Sequence, residues 1–177
     1  MNNYVTIFGS ARFKEDSKYF KQAYELSVEL AKNGYSIITG GGAGIMMAAN
    51  KGAYEVGGVE SIGINIKLPM EQVPNDYCTK YYTHSDLSNR KKALMENKIM
   101  IVCPGGFGTL DELFEVLTLS QTKLKKYKII LYNEDFYKPL IDFFEDKLLK
   151  SGAIDEESFE IFHIANTPNE VLDLIKS

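Results

Sequence analysis

Pro104-Gly105-Gly106-Phe107-Gly108-Thr109-Leu110-Asp111-Glu112 follows the apolar run Ile99 to Cys103 and precedes a stretch with helical spacing, which puts it at a strand-to-helix junction. Three glycines within four residues let successive backbone N–H groups turn toward one point without interference from Cβ atoms. The helix that follows adds the positive end of its dipole, so the junction reads as an anion site of the kind α/β sheets carry. Glu112 is the odd member. A carboxylate repels a bound anion unless it serves the far end of a larger ligand, and the combination points to chemistry on a phosphorylated substrate.

Outward from this junction, strand-like runs occur at Tyr4 to Phe8, Tyr35 to Thr39, Ser61 to Ile66, Ile99 to Cys103 and Lys128 to Leu131, with weaker candidates at Thr79 to Thr83 and Ile161 to Ile164. Helical periodicity fills the gaps. Lys18 to Asn33 puts Tyr19, Ala23, Leu26 and Leu30 on one face and stops at Gly34, and Asp111 to Lys123 behaves likewise. Strands alternating with helices of this length imply an α/β fold: a single Rossmann-like domain over residues 1–177, an open parallel sheet with helices on both faces. Lys67 to Cys78, with two prolines and an Asn-Asp pair, reads as a long loop leaving the third strand. Thr167-Pro168-Asn169-Glu170 has the N-cap, first-turn proline and third-position glutamate of a capped helix. There is no internal repeat and no low-complexity segment.

Composition narrows the function classes. A chain of 177 residues with 45% hydrophobic content supports a sizeable core. Its net charge of -4 argues against nucleic acid as a partner. Of 20 basic residues only two are arginines, Arg12 and Arg90, and both adjoin candidate ligand loops, where a guanidinium fork suits phosphate or carboxylate. Cys78 and Cys103 lie far apart and suggest no disulfide framework, and neither a signal region nor a membrane-spanning run is present, so the expectation is a cytoplasmic protein with no membrane partner. His84 and His163 lack ligand-like spacing, and no metal is expected.

Three glycine loops each follow an apolar strand: Gly9-Ser10-Ala11-Arg12, Gly40-Gly41-Gly42-Ala43-Gly44 and Gly105-Gly106-Phe107-Gly108-Thr109. A single one would be an ordinary tight turn, but three at one end of a parallel sheet mark the edge where such sheets bind ligands. None completes Gly-x-Gly-x-x-Gly, because Met47 and Asp111 stand where the third glycine belongs, and no Gly-x-x-x-x-Gly-Lys-Ser/Thr string occurs. A dinucleotide cofactor and hydrolysis of nucleoside triphosphates are both disfavoured, and no cofactor is expected. Thr109-x-x-Glu112 is also a capping box, which on its own would give Glu112 a purely structural reason to be there.

Phe8-Gly9-Ser10-Ala11-Arg12, Gly40-Gly41-Gly42-Ala43-Gly44-Ile45-Met46, the pair Arg90-Lys91 and Pro104 to Glu112 together resemble the Lonely Guy family, phosphoribohydrolases that release cytokinin bases from their riboside 5'-monophosphates and are often labelled lysine decarboxylases. The resemblance covers most of residues 4–145. It implies that Arg90 and Glu112 are the catalytic pair, that Gly9, Ser10, Gly41, Gly42, Met46, Lys91, Gly105, Gly106, Gly108 and Thr109 bind a nucleoside 5'-monophosphate, and that the protein is a homodimer with sites near the subunit interface. Two departures stand out: Met47 replaces the glutamate usual in longer bacterial members, and one residue fewer separates Arg90-Lys91 from the Pro-Gly-Gly string. The orientation of Arg90 then depends on how the chain absorbs the deletion near Asn97 and Lys98. The rival expectation is a carrier or sensor of a phosphorylated ligand, molybdenum cofactor or a nucleotide, on the same framework. Decarboxylation of lysine finds no support, since no residue set identifies a Schiff-base lysine with partners for a pyridoxal ring.

Overall fold

The computed structural model describes residues 3–67 and 73–177. The elements run β1 (Tyr4–Phe8), α1 (Lys18–Lys32), β2 (Ser36–Thr39), α2 (Ile45–Val56), β3 (Ser61–Ile66), β4 (Lys80–His84), α3 (Leu87–Leu94), β5 (Ile99–Val102), α4 (Phe107–Gln121), β6 (Lys128–Tyr132) and α5 (Glu134–Phe143). A π-helical turn (Phe144–Leu149), a 3-10 helix (Glu156–Ile161), β7 (Phe162–Ala165) and α6 (Pro168–Lys176) follow. All the strand pairs are parallel, in the order β4-β3-β2-β1-β5-β6-β7. Every expected strand is present, the weaker two included. Part of the expected loop at Lys67 to Cys78 lies outside the described residues, and the described part, 73–78, holds neither helix nor strand.

Alternation of side chains along the strands divides the core into two layers. Val5, Ile7, Ile37, Ile101 and Ile130 face Phe20, Leu26 and Leu30 of α1, the alanines of α2, and Val171 of α6. Phe8, Ile38, Ile64, Met100, Val102 and Leu131 face the opposite way, onto Leu94, Leu113, Val116, Tyr137 and Phe144. Each such fully buried aliphatic side chain contributes about 1.5–3 kcal/mol. Helices α1 and α2 pack closely because Ala49 and Gly52 carry little bulk: a Cβ on Gly52 would stand 2.7 Å from the Tyr24 carbonyl, and Ser27 Oγ donates to the Ala49 carbonyl at 2.5 Å.

Caps fix where the helices begin. Ser17 Oγ accepts from Phe20 N at 3.2 Å at the start of α1, and Thr167 Oγ1 accepts from Glu170 N at 3.3 Å at the start of α6, with Pro168 in its first turn as read from the sequence. The capping box at Thr109 does not form. Helix α4 begins earlier, at Phe107, with Gly106 as its N-cap and no side-chain cap, so Thr109 lies inside the first turn. The physical reason is Gly105: a Cβ there would stand 2.1 Å from Thr109 Oγ1, so a bare glycine lets the threonine hydroxyl tuck under the turn and the helix wind back over it.

Strand order reverses between β1 and β5, which pair from Val5↔Ile99 to Phe8↔Val102. At such a reversal the connections leave the sheet in opposite directions, and a crevice opens beyond the carboxyl ends of the strands.

Candidate active site

The three glycine loops meet at that crevice through one residue. Ser10 N donates to the Pro104 carbonyl at 3.0 Å, and the Ser10 carbonyl accepts from Ile45 N, the first residue of α2, at 2.8 Å. The loops after β1, β2 and β5 are thereby stitched together by backbone alone. Gly44 makes the second of these bonds possible: it holds φ +63, and a Cβ on it would stand 2.2 Å from the Ser10 carbonyl oxygen.

Beneath the Gly40 to Gly44 loop lies a buried polar network. Thr39 Oγ1 accepts from Gly41 N at 2.9 Å and donates to Asn50 Oδ1 at 2.5 Å, while Asn50 Nδ2 donates to Ser61 Oγ at 2.9 Å. Asn75 closes it from above: its backbone N donates to the Gly41 carbonyl at 2.9 Å, and its Nδ2 donates to the Gly42 carbonyl at 2.9 Å and to Asn50 Oδ1 at 3.0 Å. A network with its members satisfied rigidifies the loop it supports.

Two helix N-termini point into the crevice with no side-chain cap, that of α2 at Gly44 and that of α4 at Gly106. Elsewhere the starts are covered: Ser17, Asp86 and Thr167 cap α1, α3 and α6, and Asn166 Oδ1 accepts from Glu134 N at the head of α5. Ile45 N is spent on the Ser10 carbonyl, but no side chain covers either helix start, and the positive end of a helix dipole with first-turn N–H groups open to the crevice is what an anionic ligand needs. Gly106 and Gly108 are exposed there, while Thr109 is 5% exposed. Behind them, Tyr137 Oη donates to the Cys103 carbonyl at 2.8 Å and pins the end of β5.

Helix α3 delivers the arginine. Asp86 caps it by accepting from Asn89 N at 2.9 Å, and Arg90 reaches back to the sheet, where Nε donates to the Ile64 carbonyl at 3.0 Å. Its Nη2 occupies the space above Gly40, where a Cβ would approach within 2.3 Å, and the Met46 sulfur lies beside it over the same glycine. With one nitrogen committed to the backbone, Arg90 presents Nη1 to Glu112 Oε1 at 3.7 Å. Both side chains are mostly buried, 14% and 12% exposed. The shortened spacing after Arg90 therefore leaves the guanidinium facing the crevice.

Burial is the main influence on Glu112 and pushes its carboxyl up to about 7; Arg90 pulls the other way, Asp111 raises it, Lys91 lowers it and Glu115 raises it. A carboxyl near neutrality, beside a guanidinium and between uncapped helix starts, is equipped to exchange protons with a bound ligand. Lys91 sits differently from the other expected site residues. Its Nζ lies 2.6 Å from Glu115 Oε2 and 3.1 Å from Asp111 Oδ2, on the carboxylates that flank Glu112 along α4.

Arg12 is exposed at the crevice rim, with its backbone N donating to Ser10 Oγ at 3.0 Å. His84 ends β4 and His163 lies in β7, the opposite edges of the sheet. Burial pushes the Cys78 thiol up to about 11 and the Cys103 thiol up to about 12, which leaves both as poor nucleophiles at neutral pH. Among the described residues no three His, Cys, Asp or Glu side chains converge as a metal site, and no helix is long and apolar enough to cross a membrane. A groove of about 610 Å³ lies on the face of β1 to β4, lined by Tyr4, Ile38, Ile62, Ile64, Tyr82 and His84 and, on and after α3, Ala93, Glu96 and Asn97. It has no glycine loop and no helix start. Sequence reasoning missed Asn75, Asp86 and Tyr137; only Asp86, in Ser85-Asp86-Leu87-Ser88-Asn89, carried a local signal, that of an N-cap.

The chain resembles known proteins in sequence and in fold. A family model described as "possible lysine decarboxylase" matches residues 46–175. The rice (Oryza sativa subsp. japonica) cytokinin riboside 5'-monophosphate phosphoribohydrolase LOG is 33% identical over 93% of this chain and 68% of its own length. A rice protein named as a probable enzyme of the same activity, LOGL2, is 29% identical over 97% of this chain and 71% of its own. Among solved structures, the molybdenum cofactor binding protein of Rippkaea orientalis superposes with a TM-score of 0.72 at 24% identity, covering 99% of this chain and 96% of that one, a likeness of fold. On the extent of the family match and the identity to rice LOG, the chain belongs to the Lonely Guy family.

Proposed function

We propose that the protein is a nucleoside 5'-monophosphate phosphoribohydrolase, which hydrolyses the N-glycosidic bond of a purine ribotide, AMP or a cytokinin-type nucleotide, to the free base and ribose 5-phosphate. The observation that carries this reading is the mostly buried Arg90–Glu112 pair, 3.7 Å apart, in a crevice flanked by two helix starts without side-chain caps. The 5'-phosphate is held by the N–H groups of Gly105, Gly106 and Gly108 and by the Thr109 hydroxyl. Gly9, Ser10, Gly41, Gly42 and Met46 line the nucleotide pocket.

Breaking the glycosidic bond builds positive charge on the ribose ring. The Glu112 carboxylate stabilises that charge and orients the water whose oxygen bonds to the anomeric carbon; the base departs with the electron pair of the broken bond and gains one proton, which balances the one the water gives up. Arg90 anchors the substrate and keeps part of the Glu112 population ionised at neutral pH. Phosphate binding remote from the reacting bond supplies energy for orientation, so the nucleotide reacts and the bare nucleoside reacts poorly. The working form is a homodimer, in line with the large apolar side chains that α4 and the turn after it leave exposed: Phe107 (93%), Phe114 (42%) and Leu124 (73%).

The test incubates purified protein with a panel of nucleoside 5'-monophosphates, AMP and a prenylated AMP included, and detects free base by chromatography. Base release that disappears in Glu112→Gln supports the reading. Equal turnover of the unphosphorylated nucleoside contradicts it. If no nucleotide yields base while nucleotides or a pterin phosphate raise the melting temperature, the protein is a carrier.

A further inference from the structure

Lys91 adjoins Arg90 in sequence but serves a different surface. Its ammonium bridges Glu115 Oε2 at 2.6 Å and Asp111 Oδ2 at 3.1 Å; the Lys91 side chain is 21% exposed, Glu115 32% and Asp111 61%, so the clamp closes from the half-buried side of Glu115 out to the solvent edge at Asp111. Asp111 and Glu115, four residues apart on α4, share one face of the helix; Glu115 also stands one turn beyond Glu112, and the negative charge of both acids raises its carboxyl. One lysine on α3 therefore ties down the two carboxylates that crowd Glu112, and in the same contact it fastens the helix bearing Arg90 to the helix bearing Glu112. Among the described residues, the charged groups that bear most on Glu112 are Arg90 and Lys91 from α3 and Asp111 and Glu115 from α4.

We propose that Lys91 is a positioning residue and not a substrate contact: by clamping Asp111 and Glu115 it fixes α3 against α4, sets the Arg90–Glu112 separation, and shields Glu112 from its two acidic neighbours. An ammonium held by two carboxylates has little left to offer a phosphate. Its removal frees two negative charges beside a buried third, and the ionised form of Glu112 becomes harder to reach. The chemical consequence rests on the hydrolase reading above, whereas the electrostatic one does not.

The experiment titrates the Glu112 side-chain carboxyl carbon by NMR in uniformly ¹³C-labelled protein, the signal being assigned by its disappearance in Glu112→Gln. Lys91→Met raises the midpoint by about one pH unit, Glu115→Gln lowers it, and Lys91→Arg stays near the wild-type value. Loosened packing alone would not shift the two neutralising variants in opposite directions. In parallel, AMP turnover by Lys91→Met at pH 7 falls about fivefold in kcat, as the ionised fraction of Glu112 shrinks, with KM within about twofold. An unchanged midpoint in Lys91→Met with KM raised tenfold or more overturns the proposal and makes Lys91 a phosphate contact; shifts of the same sign in both variants overturn it as well. Should Lys91→Met fail to fold, the sign of the Glu115→Gln shift decides. If wild-type protein releases no base from AMP, the hydrolase reading fails while the midpoints still judge the clamp.

Discussion

Replacing Glu112 by glutamine should stabilise the protein, increasingly so as pH rises from about 4.5 to about 7. The carboxyl has an ordinary value of 4.5 and sits at about 7 in the folded chain, chiefly because burial disfavours its charge. Below about pH 4.5 it is protonated whether the chain is folded or not. Between 4.5 and about 7 the unfolded chain ionises while the folded chain keeps the proton, so stability falls as pH rises through that window and the loss is complete above it. At about 1.4 kcal/mol per pH unit the gap amounts to about 3 kcal/mol. Glutamine is nearly isosteric with the protonated acid and never charges, so it escapes the loss. For a chain of this length 1 kcal/mol moves Tm by about 2–4 °C, which makes the expected gain about 6–12 °C at pH 8.5 and close to zero at pH 4. Because the chain has no tryptophan, melting is followed by circular dichroism at a series of pH values. A Tm difference that does not change between pH 4 and 8.5 would refute the reasoning, because it would mean that Glu112 titrates alike in the folded and unfolded chain.

Further outcomes follow from the same geometry. Base release by wild-type protein should rise with pH through about 7 as Glu112 ionises, and a flat profile would remove it as the ionised participant. Gly44→Ala puts a Cβ 2.2 Å from the Ser10 carbonyl at φ +63, so it should cost about 3 kcal/mol or more in a denaturant melt and weaken nucleotide binding more than Gly106→Ala, where open space receives the new methyl. Asn50→Leu strips Thr39, Ser61 and Asn75 of a shared partner and should cost about 3 kcal/mol, read as a lowered urea midpoint with an unchanged slope. Phe114→Lys should halve the mass seen by light scattering if α4 is the dimer face; an unchanged mass places the interface elsewhere.

What the sequence disclosed and what it withheld divide along physical lines. Strands such as Ile99–Val102 and Lys128–Tyr132 were legible because a strand buried on both faces is a near-continuous apolar run. The helix starting at Lys18 was legible because Ser17 caps it and Gly34, at φ +82, ends it. The start of α4 was not, because Thr109-x-x-Glu112 is a sound capping pattern that local rules cannot reject; only the close approach of the Thr109 hydroxyl to Gly105 decides against it. The π-helical turn at Phe144–Leu149 left no periodic signature and went unread. In the site, glycine loops announce themselves by composition, whereas the partners of Lys91 and the reach of Asn75 into the Gly40 to Gly44 loop depend on contacts between segments distant in the chain, which spacing does not encode.

The sheet order has a consequence for how the protein comes into being. Strands β1 to β4 are neighbours in the order in which they are made, so the first half of the sheet can assemble by successive local crossovers as the chain emerges. Strand β5 is different: it must return to the exposed flank of β1, closing nearly all the intervening chain, and only that docking brings Glu112 to Arg90. A nascent chain ending before β5 holds the arginine, two of the three glycine loops and no function. Assembly of the crevice thus coincides with the slowest loop closure in the sheet, and any slip of β5 from β1 in the finished molecule dismantles the site before it unravels the first half of the fold.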